Sequence, residues 1–472
     1  MYRMSGCDAV YIYDERPHEF QHTLKVAIWS QPASARYSLE QTRRLVAARL
    51  AALPPLRWRA VRVPLDLHHP VWVDDPELDL ERHVKRLAIP APGGHRELCE
   101  VISEITSHPL DPDRPLWELW MLEGYRGDRV VAVLKMSHAL ADGVASRRLI
   151  EGLYAEESVD SMSALPAPPC GERLPSKWTL LRDGLRDRLC DPFVYLPSLL
   201  RALRKVPRRA RDARRRGGVG GLRATVFGSP PTPFGGPLSS RRTFEFATLP
   251  LDDAKAIRRA LGCTINDLVM GLAAGATRRY LRSRGALPGL PTLAIMPVSI
   301  RDDDERDAWG NRITMRLMDL PTHIEDPVER LRAAARIAAE AKRDVAVHRG
   351  TNLEDWLRWL PPSVPKLLSR MARLVVRVRP ELPGGVCVSN VRGPESLLHT
   401  IGGPVENFVS VGHMKFMAGL NMTVWSYAGN LNVGLYGCAE AVPDLWRFAE
   451  FAVEAFEELS KAAAHEAARI AA

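Results

Sequence analysis

The chain has 472 residues, 46% of them hydrophobic and 26% charged. Such values belong to a globular protein of two or three domains and exclude a disordered, collagen-like or coiled-coil chain. The net charge of +9 is local, because Arg201–Arg223 holds ten basic residues and one acid while the other 55 basic and 55 acidic residues balance; a nucleic-acid-binding domain is basic over a whole face, so that class is disfavoured.

Met1–Phe20 contains Asp14, Glu15 and Glu19 and no apolar core, so it does not read as a secretory signal. Leu24–Trp29 is expected as a strand, and Leu39–Leu53 as an amphipathic helix stopped by Pro54 and Pro55. Arg96–Ser107 reads as a second helix. Leu116–Leu122 and Val130–Met136 read as strands around a turn at Gly124–Asp128, with Gly143–Tyr154 as the next helix. From Glu156 to about Ser240 the character changes. Acids give way to Pro166, Pro168 and Pro169, then to a helical pattern, the arginine-rich run, and clusters of glycine and proline. Such composition marks a long interdomain connection, with a solvated helix and a flexible hinge as its plainest form.

Beyond it, Thr243–Leu249 is expected as a strand, Leu251–Ala260 as a helix, Asn266–Arg282 as a buried helix and Thr292–Val298 as a strand. Asp326 caps a helix that opens on Pro327 and runs to about Val345. Val386–Val391, Met422–Ser426 and Leu431–Tyr436 read as strands. Asp444 caps a last helix with Leu445, Phe448, Ala452, Phe456 and Leu459 on one face. The expected fold class is therefore α/β. Residues 1–185 form one domain, 186–240 a basic Gly/Pro-rich linker, and 241–472 a second domain. No run of about 18 apolar residues occurs, so no membrane-spanning helix is expected.

Seven cysteines stand at 7, 99, 170, 190, 263, 387 and 438, an odd number without a CxxC pair. That argues against a disulfide framework or a Cys-rich zinc site and fits a reducing cytosol. The thirteen histidines are dispersed and form no HExxH. No metal site is expected.

The sharpest constellation is Met136-Ser137-His138-Ala139-Leu140-Ala141-Asp142-Gly143, between a strand and a helix. An imidazole at a strand end can act as a general base near neutral pH. The acid four residues on can fix the loop by pairing with a basic group, and Gly143 keeps the backbone slim where a substrate passes. Around it stand Asp113-Arg114-Pro115-Leu116-Trp117-Glu118, Asn266-Asp267, Pro297-Val298-Ser299-Ile300-Arg301, Gly310-Asn311, Ser389-Asn390-Val391-Arg392-Gly393-Pro394 and Leu420-Asn421-Met422-Thr423.

With these motifs in this order, from Cys7-Asp8-Ala9 to the last helix, the sequence resembles the bacterial wax ester synthase/diacylglycerol acyltransferase family. That family belongs to the CoA-dependent acyltransferases. The resemblance implies two chloramphenicol-acetyltransferase-like α/β domains, with the active site and an acyl tunnel at their interface. It implies that His138 is the base, that Asp142 is structural and orients the loop beside Gly143, and that Arg301 is the ion-pair partner of Asp142. The family's motif begins with two histidines; Ser137 replaces the first here. The true pair His68-His69 precedes a proline, lacks Asp-Gly and reads as structural.

Thr264-Ile265-Asn266-Asp267 matches a helix capping box, although Asn266 can also donate to the site. Pro115-Leu116-Trp117 is expected to open a strand and pack in the core, and to contribute a wall of the tunnel. Gly310-Asn311 and Ser389-Asn390 are read as turn and strand-register features. Ala418–Thr423 resembles the stretch that lines the family's alcohol pocket. Ser389, Asn421 and Thr423 are candidates for polarising a thioester carbonyl.

The expected activity is acyl transfer from a long-chain acyl-CoA to diacylglycerol, to a long-chain alcohol, or to both. Acyl-CoA is a co-substrate and no bound cofactor is needed. Alternatives are a relative that esterifies a polyketide or other complex lipid hydroxyl, and a lipid-binding homologue without activity, suggested by Ser137. The expected location is cytoplasmic and peripheral, at the inner membrane face or lipid inclusions, with Arg201–Arg223 as the contact to an anionic surface. No nucleic-acid partner is expected, because no aromatics interleave the arginines.

Overall fold

The computed structural model describes residues 1–31, 37–154, 171–191, 228–301, 308–347, 357, 360–379, 382–400, 403–414 and 417–471. The basic run Arg201–Arg223 lies outside them. The fold is mixed α/β, as expected, and is built on two main sheets.

In the N-terminal half, β1 (Tyr2–Arg3), β3 (Trp58–Val61) and β4 (Val71–Asp74) form a small sheet. The main sheet there contains β2 (His22–Ser30), β5 (Val84–Ala88), β6 (Trp117–Tyr125) and β7 (Arg129–Ser137). The β6–β7 turn is tight because Arg126 and Gly127 both take positive φ, the twist that hairpins require. The C-terminal half contributes β8 (Arg242–Pro250), β9 (Thr292–Ser299), β10 (Ile313–Leu320), β11 (Gly385–Val391), β15 (Leu420–Tyr427) and β16 (Asn430–Cys438), in the order β10-β9-β11-β15-β16-β8. A short pair, β12 (His399–Thr400) and β13 (Gly403–Pro404), precedes β14 (Asn407–Val411).

β14 crosses between the halves. It lies late in the chain but completes the N-terminal sheet, whose order is β14-β2-β7-β6-β5. It pairs antiparallel with β2, with Ser410 opposite Lys25. Its close approach to the second sheet needs a glycine, because a Cβ on Gly434 of β16 would lie 2.4 Å from the Ser410 carbonyl oxygen.

Strand alternation then divides the core. Val386 and Val388 of β11 and Met422 and Val424 of β15 face the helices Leu251–Leu261, Ile265–Ser283, Pro327–Val347 and Leu445–Ala471. Val391, Trp425 and Tyr427 pack instead with residues of the N-terminal half, including Tyr11, Leu134 and Met136. A second seam runs along helix His95–Thr106. Its Ser103 and Ser107 hydroxyls accept the edge N–H groups of Phe244 and Arg242 at 2.9 and 3.0 Å. Cys99 donates to Glu245 at 3.3 Å, and His95 pairs with the same carboxylate. An edge strand is thereby closed by side chains.

The expected capping box holds, since the Thr264 hydroxyl accepts from Asp267 N and the Asp267 carboxylate from Thr264 N. Asp326 accepts from Val328 N and Glu329 N. Asp444, expected as a cap, places its carboxylate on the Tyr280 hydroxyl and Arg284 at 2.7 and 2.6 Å. Part of the expected interdomain connection is docked. A helix over 177–191 buries Leu180 against Val71 and Val73, and His68 holds Asp191 at 3.1 Å. His69 hydrogen-bonds the Tyr13 hydroxyl at 2.8 Å, so both members of the His-His pair are anchored in the scaffold.

Candidate active site

β7 ends at Ser137, and the turn that follows is buried because Ala139, Leu140 and Ala141 are apolar and join the core between the halves. His138 is carried on it, 8% exposed, with its backbone N–H donated to the Gln21 carbonyl. Its Nδ1 lies 2.8 Å from Oδ1 of Asn311. The Asn311 amide is oriented by its other contacts. Nδ2 donates to the His138 carbonyl and to Oδ1 of Asp8, both at 2.7 Å, and both are acceptors. Oδ1 must therefore face the ring, and Nδ1 must carry the proton. The lone pair is left on Nε2, which is the protonation state a general base requires.

Asp8 also accepts from Asn311 N at 2.8 Å and from the Ser5 hydroxyl at 2.6 Å. Burial raises its pKa against these hydrogen bonds. Gly310 makes the approach feasible, since it has φ +82° and a Cβ there would lie 2.9 Å from the Asp8 carboxylate. Tyr11, one turn after Asp8 on helix Gly6–Asp14, stacks on the imidazole at 4.6 Å and 19°. His413 meets it edge-on at 4.6 Å and 74°. These walls exclude water, and burial pushes the His138 pKa from 6.5 down to about 4, assisted by the charge of Lys25. Lys25 is itself buried, donates to Ser410 Oγ at 2.7 Å, and is lowered to about 7 by desolvation.

Asp142 and Arg301 meet with Nη2 and Nε of the guanidinium 2.9 and 3.2 Å from one carboxylate oxygen. Their side chains are 1% and 4% exposed. The same oxygen accepts Arg312 N at 2.9 Å, and the other oxygen caps helix Gly143–Leu153 through Val144 N and Ala145 N. Arg301 further donates to the carbonyls of Ala308 and Gly310, both at 2.8 Å. One carboxylate thus ties the His138 loop to the segment that delivers Asn311. Gly143 faces Val391, whose Cγ2 would lie 3.0 Å from an added Cβ; its slim backbone admits the other half of the protein at this point.

Gly310-Asn311, read from sequence as a turn feature, does carry a left-handed glycine at 310, but Asn311 is also the direct partner of His138. A Gly-Asn dipeptide is a common turn signal, and nothing in the spacing connects position 311 to 138. Asp8, Tyr11, Lys25 and His413 were also not singled out as site residues. Asn421 and Thr423 lie on β15 and hold each other and the Gly412–His413 backbone. The Thr423 hydroxyl donates to Asn421 Oδ1 at 2.8 Å, Gly412 N donates to both side chains, and Asn421 Nδ2 reaches the His413 carbonyl. They position the turn that brings His413 to His138, and the Thr423 proton is committed there. Ser389 lies opposite Thr423 in the β11–β15 register. Asn266 sits in the first turn of Ile265–Ser283, and its buried Nδ2 has no hydrogen-bond partner among the described residues. Ser137 accepts Ala139 N at 3.2 Å, a local turn contact.

No single helix among the described residues is long and apolar enough to cross a membrane. The bent pair Leu251–Leu261 and Ile265–Ser283 passes by composition, but it belongs to the core.

The wax ester synthase/diacylglycerol acyltransferase catalytic-domain model matches residues 4–269, and the C-terminal-domain model of the same family matches 309–460. A Mycobacterium tuberculosis H37Rv protein with the provisional name diacylglycerol O-acyltransferase is 34% identical across 97% of this chain and 90% of its own length. The solved wax ester synthase/diacylglycerol acyltransferase of Marinobacter aquaeolei VT8 is 25% identical, covers 98% of this chain and 100% of its own, and has a TM-score of 0.67. The first condensation domain of the calcium-dependent antibiotic synthetase shares the fold, with a TM-score of 0.59 and 16% identity over 97% of this chain and 96% of its own. The family models together span most of the chain, and the chain belongs to the wax ester synthase/diacylglycerol acyltransferase family.

Proposed function

We propose that the protein transfers a long acyl chain from acyl-CoA to the hydroxyl of diacylglycerol, of a long-chain alcohol, or of both. The observation that carries this reading is the imidazole of His138, buried, walled by Tyr11 and His413, and held by Asn311 with its Nε2 lone pair available. Nε2 takes the proton of the acceptor hydroxyl as the oxygen attacks the thioester carbonyl carbon. The C–S bond then breaks, and the CoA thiolate leaves and recovers the proton from the imidazolium. An acyl chain gains about 0.8 kcal/mol for each CH₂ it buries, so this reading calls for an apolar tunnel between the halves. Ser389 and the ammonium of Lys25 are candidates to steady the developing oxyanion.

Because the acceptors are lipids, the enzyme works at an anionic membrane or lipid-inclusion surface on the cytoplasmic side. Arg201–Arg223 supplies part of the attraction, at about 1 kcal/mol per basic residue near the surface.

The test is thioester cleavage followed by free-thiol detection, with diacylglycerol and hexadecanol offered in competition and the products identified. His138→Ala should lose at least about a hundredfold in turnover while keeping a native circular-dichroism spectrum and a cooperative melt. Near-normal turnover in that variant would remove His138 as the base.

A further inference from the structure

We infer that helix Ser363–Val378, the helix over 177–191 and the loop at Leu65 form one lipid-docking face, and that they seat the protein on an anionic bilayer. The inference rests on the lipid-acceptor reading above.

Helix Ser363–Val378 is inverted relative to an ordinary surface helix. Its polar side faces the protein. Lys366 pairs with Asp66 at 2.5 Å, Ser369 hydrogen-bonds Asp14, and Arg373 lies 3.4 Å from Glu19. Its apolar side faces outward, with Leu367, Leu368, Met371, Leu374, Val375 and Val378 all between 45% and 67% exposed. The offsets of one, four, seven, eight and eleven residues put these six on one stripe. A soluble helix turns such a stripe inward, so its outward direction marks a surface that meets a membrane or a partner.

The neighbouring elements repeat the pattern. Trp178, Leu185 and Leu189 project from the 177–191 helix at offsets of seven and eleven, and Leu65 is 91% exposed at a positive φ of 59°. The three pieces are joined. Asp66, beside Leu65, holds Lys366, while Arg188 donates to the carbonyls of both Leu67 and Leu360.

Charge selects the occupant. Residues 363–379 contain five basic side chains and no acid, and the exposed Arg370 and Arg377 flank the stripe. The arginine-rich run begins ten residues after the 177–191 helix. An apolar stripe bordered by cations matches the headgroup boundary of an anionic leaflet.

The position also suits delivery of a lipid acceptor. Asp14, which holds Ser369, ends the helix whose Tyr11 stacks on His138. One helix therefore separates the docking face from the imidazole.

The experiment is co-flotation of the full chain with phosphatidylcholine vesicles, with and without phosphatidylglycerol. Wild type should float with the mixed vesicles and much less with phosphatidylcholine alone. The triple variant Leu367→Ser, Met371→Ser, Leu374→Ser should lose about a hundredfold or more in partitioning, since three apolar side chains no longer enter the interface. Its melting temperature should match the wild type, because these side chains already face outward. Failure of wild type to float, or equal flotation of the triple variant, would overturn the inference. So would a sedimentation result in which the substitutions only dissolve a dimer and leave flotation unchanged, because the face would then be covered by a second copy of this chain. Flotation needs no turnover, so an inactive protein that floats would refute acyl transfer while leaving the docking face in place.

Discussion

Replacing Asp142 by Asn tests whether one carboxylate organises the site. In the native protein its two oxygens collect five N–H groups, from Val144, Ala145, Arg312 and twice from Arg301. Asparagine keeps one acceptor oxygen. If that oxygen caps the helix, the amide NH₂ is turned toward the guanidinium and Arg312 N, and donors meet donors. A buried charge that loses its partner costs about 3–5 kcal/mol, and Arg301 is 4% exposed. Its bonds to the Ala308 and Gly310 carbonyls favour the lower part of that range, about 3 kcal/mol. Against a total stability of about 5–15 kcal/mol, this is a large fraction. The apparent melting temperature should drop by about 3 °C if the whole chain unfolds as one unit, and by about 6 °C if one half unfolds alone. Arg301→Gln should cost less, because Asp142 would keep its three backbone donors. Turnover should fall at least about tenfold in Asp142→Asn, since Asn311 is delivered by the segment that this carboxylate anchors. The assays are scanning calorimetry and thioester cleavage on the same preparations. An Asp142→Asn protein as stable and as active as wild type would refute the reasoning.

The pH dependence follows from burial of His138. Its pKa of about 4 in the folded protein lies below the ordinary 6.5, so between those values the unfolded chain binds the extra proton. Its contribution to stability therefore rises with pH across that window, is complete above about pH 6.5 and is lost as pH falls toward 4. The acid limb of kcat/KM should accordingly lie well below 6.5, and Lys25→Met, which removes a like charge, should move it upward; a wild-type limb at 6.5 that ignores the substitution would contradict both. Asn311→Ala should lower kcat about ten- to a hundredfold by freeing the Nδ1 tautomer, with KM for acyl-CoA little changed, so an unaltered kcat would show that the ring needs no such anchor. Ser137→Ala should retain activity within a few-fold, because its hydroxyl serves the turn through Ala139 N; an acyl group trapped on Ser137 by mass spectrometry would show a covalent route instead.

The parts of this protein that depend on near neighbours in the chain were legible from sequence. Short continuous apolar runs placed β7 and β11, and apolar alternation placed β15 and β16. Local hydrogen-bond chemistry placed the caps at Thr264 and Asp326, and the HxxxDG spacing placed His138 and Asp142 on a strand–turn–helix. Each depends on groups within about four residues of one another, where periodicity and capping act.

Tertiary structure decided the rest. Asn311 reaches His138 across 173 positions, and Asp8 reaches Asn311 across 303. Neither contact leaves a trace in local pattern, because the side chains are brought together by sheet packing and by the Asp142–Arg301 tie. The pairing of β14 with β2 is of the same kind, since a five-residue strand does not specify which edge it will complete. The outward stripe of Ser363–Val378 shows the same limit. Its periodicity is readable as amphipathic, but only the acids at 14, 19 and 66, placed beneath it by the fold, determine that the polar side turns inward. Sequence fixes which residues share a face; the direction of that face is set by partners distant in the chain, because a hydrogen bond or ion pair depends on distance in space and not on separation along the backbone.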